Sequence, residues 1–276
     1  MIKLQNVNKK LILLAVLLCF GAALNGQTHY VMIETNMGNM KVMLYDDTPK
    51  TTANFLKKVK EGYYNETLFG RVIQSFMIQG GAPDSRNAGP GWSLGYGDID
   101  EEIEGEIRPN HIPKKGALAA PHREHMKNSD MSMFFIVQGY VQSKEYWRGW
   151  EKVNNEAARK AAKKKVMTQA VKDSLVALKP GDFAPNAERE RYNNFVRKVN
   201  HQIDSIARAT PGTRFFTDDE IEAYSTIGGA YHLYMDYTIY GEVVEGLEVI
   251  DKIAELETNS ADRPRKDVRM NIRIIK

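Results

Sequence analysis

Residues 68–83, LFGRVIQSFMIQGGAP, constrain the fold more than any other stretch. The apolar residues come in two short runs on either side of Gln74-Ser75: Phe69, Val72 and Ile73, then Phe76, Met77 and Ile78. Runs this short, rich in β-branched and aromatic residues and closed by Gly80-Gly81-Ala82-Pro83, predict two short strands and a turn. Arg71 is the exception, a permanent cation inside an apolar strand, which is costly unless paired or exposed at a site. Met77 and Gln79 are two apart and so project from the same face. An arginine, an aromatic, a methionine and a glutamine on adjacent short strands compose a small apolar pocket with a few polar pointers, the usual make-up of a ligand site.

The rest of the chain supplies more short strands. Residues 30–45 alternate Val31 and Ile33 before Asn36-Met37-Gly38-Asn39, then Met40, Val42 and Leu44, which predicts a hairpin. Thr48-Pro49 opens a helix whose stripe is Ala53, Phe55-Leu56 and Val59, and Gly62 ends it. Residues 116–120 and 133–139 read as strands, as do 237–244 and 268–275, with a helix over 247–253. Residues 87–97 are glycine-rich. They fit neither a P-loop, lacking Gly-Lys-Ser/Thr, nor a dinucleotide fingerprint, being followed by acidic residues rather than a helix, and so read as a surface loop.

With 38 Lys/Arg against 35 Asp/Glu in 276 residues, the whole chain lacks the charge of a nucleic-acid binder. Lys3, Lys9 and Lys10 precede an apolar run over 11–20 and then small residues, the pattern of a cleaved secretory signal over 1–26, with cleavage after Gly26 or Ala23. That run is too short to span a bilayer, so no integral membrane span is expected. The single cysteine, Cys19, lies within it, leaving no thiol in the mature chain. An exported, cysteine-free protein fits a bacterial periplasm or cell envelope.

Positive charge is concentrated in one place. Residues 144–208 hold 15 Lys/Arg and 8 Asp/Glu. Val153, Ala157, Ala161, Met167, Val171, Leu175 and Leu178 predict one helix or two in line, broken at Lys179-Pro180-Gly181-Asp182. Tyr192, Phe195, Val196, Val199, Ile203 and Ile206 give a second stripe. The expectation is a basic helical hairpin. Its charge reads as a solvated face or as a docking surface for an envelope partner or acidic client segment. Thr217 with Glu220 forms a capping-box pattern for a short helix to Tyr224. The organisation is therefore a signal over 1–26, a strand-rich body over 27–140 and 218–276, and a helical insertion over 141–217. Short non-local strands with two amphipathic helices predict a mainly β, closed or near-closed barrel capped by those helices.

An ordered series of motifs resembles the cyclophilin-type peptidyl-prolyl cis–trans isomerases, bacterial secreted branch. They are Thr35-Asn36-Met37-Gly38, residues 48–55 (TPKTTANF), 69–73 (FGRVI), 76–81 (FMIQGG), 132–137 (SMFFIV) and 240–246 (YGEVVEG). The resemblance covers about 30–140 and 231–276. It implies an eight-stranded antiparallel barrel capped by two helices, here with an inserted helical hairpin, and isomerisation of the bond before proline with no cofactor and no metal. Residue by residue it makes Arg71 the catalytic arginine and Gln79 the glutamine that places it and binds substrate backbone. Phe76, Met77, Phe135 and Leu233 match the pocket for the proline ring.

The polar rim departs from the family. Met133 stands where a second glutamine is usual, His232 where many members have tryptophan, and Tyr237 where many have histidine. Gly70 replaces a common histidine. Pro121-His122 replaces a pair whose backbone holds the substrate carbonyl, and a proline cannot donate that bond. His122 and His125 have a loose His-x-x-His spacing without the His-Glu-x-x-His pattern, so no metal is expected there. Implied partners are proline-containing polypeptides. A proline-peptide binder or chaperone with weak turnover is the alternative that the altered rim motivates.

Overall fold

The computed structural model describes residues 29–94, 102–122, 128–130 and 132–275. The expected signal over 1–26 and His125 lie outside them. The chain divides into two compact units, one made of the residues up to Gln138 together with those from Ala230 onward, the other of Gly139–Gly229.

In the first unit the elements run β1 (His29–Thr35), β2 (Gly38–Leu44), α1 (Pro49–Lys60), β3 (Thr67–Leu68), β4 (Arg71–Ile73), β5 (Met77–Gly80), β6 (Glu102–Glu104), β7 (Ala117–Ala120), β8 (Asn128–Asp130) and β9 (Phe134–Val137). The second unit holds α2 (Lys144–Asn154), α3 (Glu156–Val166), α4 (Gln169–Leu178), α5 (Asn186–Arg208) and α6 (Asp218–Thr226). The first unit then resumes with a 3-10 turn (Tyr231–Leu233), β10 (Thr238–Glu245), α7 (Leu247–Ala254) and β11 (Arg269–Ile275).

Alternation makes the first hairpin. Val31 pairs with Val42 and Ile33 with Met40, and all four are fully buried. β11 extends the same register on the other side, with Ile33 opposite Ile272. Helix α1 starts at Pro49 and lacks a side-chain bond from its own N-cap, Thr48. Its orphan N–H groups are served from a distance. The buried Glu106 carboxylate accepts from Lys50 N at 3.2 Å, Thr51 N at 2.8 Å and Thr51 Oγ1 at 2.9 Å. A negative charge at a helix N-terminus also complements the dipole. Phe55, Leu56 and Val59 then face the sheet.

The expected closed eight-stranded barrel with two capping helices is overturned. The main sheet has nine antiparallel strands in the order β3-β11-β1-β2-β10-β7-β9-β5-β4 and forms an open half-barrel, with a separate pair β6-β8. The reason is a break at Phe69-Gly70. Thr67 and Leu68 pair with β11, whereas Arg71–Ile73 pair with β5. Between them Phe69 N goes to Val268 O and Val72 N to Asp262 O, so one stretch of chain contributes both sheet edges. There are seven α-helices among the described residues, of which α1 and α7 belong to the first unit.

Inside the sheet the core is aromatic at its centre. Phe134, with no exposed surface, meets Phe55, Tyr64 and Phe69 edge-on at 5.8, 5.6 and 6.0 Å between ring centres. Edge-to-face contacts of this kind add about 0.5–1.5 kcal/mol each to area burial. Gly81 adopts φ 91°, and a Cβ there would come within 2.9 Å of the Tyr64 ring, so the end of β5 requires glycine.

The second unit is a set of five helices rather than a hairpin. Asn155 separates α2 from α3 because its side chain is claimed by Arg214, donating to Arg214 O at 2.6 Å and accepting from Arg214 N at 3.0 Å. Thr168 caps α4, accepting from Val171 N, and Pro180 and Pro185 flank the next break. Ala162, Val166, Val199, Ile203 and Ala207 form a small core between α3 and α5. Trp147 packs against Tyr224 and Phe216 at 5.0 and 5.4 Å. The capping box at α6 forms as expected, with both Thr217–Glu220 bonds present. No described helix is long and apolar enough to cross a membrane.

Candidate functional site

Strand alternation sorts the sheet residues of the first unit into two sets. Val72, Ile78, Leu118, Phe134 and Ile136 enter the aromatic core. Their sequence neighbours Met77, Ala117, Ala119, Phe135 and Val137 form a second apolar cluster together with Ala230, Leu233 and Ile239, with Tyr45, Ile73, Phe76 and Tyr237 against it. Successive side chains of a strand point to opposite faces, so the second cluster lies on the face that the core does not use.

Register gives this face its polar pointers. Arg71 is opposite Gln79, Gln79 opposite Phe135, Phe135 opposite Ala119 and Ala119 opposite Ile239. One row thus crosses five strands, with neighbouring strands about 4.8 Å apart. In the parallel row Ile73 is opposite Met77 and Met77 opposite Val137. Alanines at 117 and 119 leave a low floor beside the larger Met77 and Phe135. Leu233, on the 3-10 turn, is part of the same cluster.

The rim is aromatic. Tyr237 meets Phe135 edge-on at 5.2 Å and stacks on His122 at 4.2 Å. His122 Nε2 donates to Asp236 O at 3.0 Å, which fixes the stack. Across the cluster the His232 ring lies 5.1 Å from Phe76. Burial raises the Tyr237 hydroxyl above its ordinary pKa, the Asp236 carboxylate adds to the rise, and the Arg71 charge opposes it. Arg71 therefore acts electrostatically on this rim residue. Gln79 Nε2 lies 3.6 Å from Met133 Sδ, a weak acceptor. The ten residues singled out from the sequence, Arg71, Phe76, Met77, Gln79, His122, Met133, Phe135, His232, Leu233 and Tyr237, thus stand on or around one face of the first unit.

Two residues that sequence reasoning missed also belong here. Asp262 Oδ2 lies 3.3 Å from Arg71 Nε, and both side chains are partly exposed. Asp262 adopts φ 59°, the left-handed region that aspartate tolerates better than most residues. An acidic residue in the turn-rich stretch 259–264 is the only local signal, and it does not name its partner. Gln138 is the other. Its Oε1 accepts from Ser75 N at 2.6 Å, its backbone N donates to Phe76 O at 2.9 Å, and its Nε2 donates to Asp251 Oδ1 at 3.0 Å. Lys115 Nζ holds the other Asp251 oxygen at 2.5 Å. Burial works to raise the Asp251 pKa, but the bonds from Lys115 and Gln138 outweigh it and keep the group below the ordinary carboxylate value. Ser75 adopts φ 63°, so this chain of bonds holds the strained turn that carries Phe76.

An exposed cation and a carboxamide beside a buried apolar cluster can hold a compact apolar ring and a peptide carbonyl and place positive charge at the ring's edge. The family model described as "Cyclophilin type peptidyl-prolyl cis-trans isomerase/CLD" matches residues 30–147 and 151–273. A Streptococcus pyogenes protein assigned as a bifunctional phosphatase/peptidyl-prolyl cis-trans isomerase is 29% identical over 241 residues, 86% of this chain; the chain spans 37% of that protein's length. A Staphylococcus saprophyticus protein assigned as a peptidyl-prolyl cis-trans isomerase is 26% identical over 250 residues, covering 89% of this chain and 90% of that one. Among solved structures, a Cryptosporidium parvum cyclophilin type peptidyl-prolyl cis-trans isomerase matches with TM-score 0.51 at 18% identity, over 91% of this chain and 99% of that one.

Proposed function

Because the chain belongs to the cyclophilin-type peptidyl-prolyl cis–trans isomerase family, we propose that it isomerises the bond preceding proline in polypeptides, with the face carrying Arg71 as its active site. The observation that carries this reading is the register row that sets Arg71 and Gln79 beside Phe135.

The reaction makes and breaks no covalent bond. It must overcome amide resonance, a barrier of roughly 18–20 kcal/mol, which makes the uncatalysed step take tens to hundreds of seconds. Resonance is lost at the twisted transition state and the prolyl nitrogen gains a lone pair. A cation held near that nitrogen stabilises the twisted form more than the planar one, as catalysis requires. In this reading Arg71 is that cation. Asp262 takes the Nε edge of the guanidinium and leaves the two terminal nitrogens for substrate. Met77, Phe135, Leu233 and Phe76 hold the proline ring, Gln79 binds the adjoining peptide group, and Met133, His122, His232 and Tyr237 line the approach. None of these roles transfers a proton.

The second reading is a proline-peptide binder or chaperone with weak turnover. It is favoured by the engagement of Gln79 with the Met133 sulfur, because a thioether offers substrate no hydrogen bond to match a glutamine's. The basic-then-apolar residues 1–26 support exported proteins as the clients. Exchange spectroscopy on a short Ala-Pro-containing peptide separates the readings. Faster cis–trans exchange with the protein present supports the isomerase. Saturable binding with unchanged exchange supports the binder and overturns the isomerase.

A further inference from the structure

The second unit carries a concavity of its own. A groove of about 510 Å³ is lined by Lys152 of α2, Glu156, Arg159, Lys160 and Lys163 of α3, and Asn200, Ile203 and Asp204 of α5. Its charges are partly spent. Arg159 is paired with Asp204, and Lys160 Nζ with Glu156 Oε1 at 2.8 Å. Lys160 holds the Glu156 carboxyl below its ordinary pKa, with Lys152 contributing at longer range. Neither Lys152 nor Lys163 has a carboxylate within ion-pair distance among the described residues, and both are exposed. Four cations against two carboxylates leave two positive charges uncompensated in a concave surface whose floor includes the apolar Ile203. Concave walls of low dielectric focus such a field more than a flat helical face does.

We propose that this groove binds acidic polypeptide segments, with Lys152 and Lys163 receiving their carboxylates. The lining argues for a peptide over a nucleic acid. A polyphosphate backbone presents evenly spaced charge and is bound by releasing its counterions to a run of cations. Here Glu156 and Asp204 interrupt the run and would face that backbone. An acidic peptide can space its carboxylates around them. The site is independent of proline turnover, since its occupant need contain no proline.

The test uses the full chain and a fluorescent, proline-free peptide rich in Glu, Asp and Leu, beside the same peptide with Gln and Asn in place of the acids. The acidic peptide should bind at least tenfold tighter, more weakly at high salt. Lys152→Glu with Lys163→Glu should remove that preference while leaving helical circular dichroism and turnover of a short prolyl peptide unchanged. Equal binding of the two peptides would overturn the proposal. So would an unaltered preference in the charge-reversed chain, or tighter binding of an oligonucleotide or of anionic vesicles than of the acidic peptide. If the double variant unfolds, Lys163→Gln alone serves, with a smaller loss expected in the same direction.

Discussion

Phe134 and Phe135 are consecutive residues of one strand, both buried, and they meet different surroundings. Phe134 is enclosed by Phe55, Tyr64 and Phe69. Phe135 lies in the row with Arg71 and Gln79 and is covered by Tyr237. The same split separates Val72 from Arg71 and Ile78 from Gln79. The core face is sealed by side chains from α1 and α7 as well as the sheet. The other face is lined by alanines and a short turn, and it places a cation where a core would place a methyl group. A single sheet thus supplies the packed core on one side and, in the proposed reading, the binding surface on the other, and each strand residue serves one of the two.

The largest effect should come from damaging the core face. Phe134→Ala should cost about 3–5 kcal/mol of stability, the range for a deleted buried aromatic, measured by denaturant unfolding. A loss under 1 kcal/mol would mean that the aromatic cluster is not the centre of the core. Gln138→Ala comes next, since it leaves Ser75 N without its acceptor. The expected cost is about 1–3 kcal/mol, together with weaker prolyl-peptide binding, because the turn that carries Phe76 loses its support. Unchanged binding at reduced stability would confine Gln138 to a structural role. Asp262→Asn should barely change stability and lower kcat/KM about two- to fivefold, as fits a half-exposed ion pair worth up to about 1 kcal/mol; a rise in kcat/KM would instead make Asp262 a competitor for the cation.

The smallest effects lie in the titration of partly or fully buried tyrosines, of which Tyr237 belongs to the rim and Tyr240 to the core. Burial raises the pKa of Tyr45, Tyr237 and Tyr240. A folded-state pKa above the unfolded one means that the native state holds the proton more tightly. Stability is therefore fully present below about pH 10, the ordinary tyrosine value, and is lost as pH rises from there through the folded-state values. Removing the Arg71 charge should raise the Tyr237 pKa further, because that charge opposes the shift. An ultraviolet titration of Arg71→Ala against wild type reads this directly, and a downward change would separate Arg71 from the rim.

Much of this arrangement is legible in the sequence, and the limits are physical. Alternation predicts the hairpin β1-β2 and the two faces of β4 and β5, because each is a local pattern. The Thr217–Glu220 box and the Thr48-Pro49 helix start are also local. The strand count fails at Thr67-Leu68, two residues that are a strand only because β11 lies beside them. The helix count fails at Asn155, where an apolar stripe continues while a tertiary bond to Arg214 takes the side chain. Arg71 stands out by its charge, and the family resemblance implies its neighbours. Asp262, 191 positions away in the chain, is invisible to either argument. The row from Arg71 to Ile239 depends on the register of five strands, which no local pattern encodes.

The claim that one strand divides stability from function is tested most directly at adjacent positions of β4. Arg71→Ala and Val72→Ala should be made in parallel, and each assayed for prolyl-peptide isomerisation per folded molecule and for unfolding free energy. Arg71→Ala should lower kcat/KM by about 10²–10³, the scale of a removed transition-state charge contact, and change stability by no more than about 0.5 kcal/mol. Val72→Ala should lose about 2 kcal/mol of stability and keep its kcat/KM. Wild-type turnover in Arg71→Ala, or an equal loss of stability in both variants, would contradict the account.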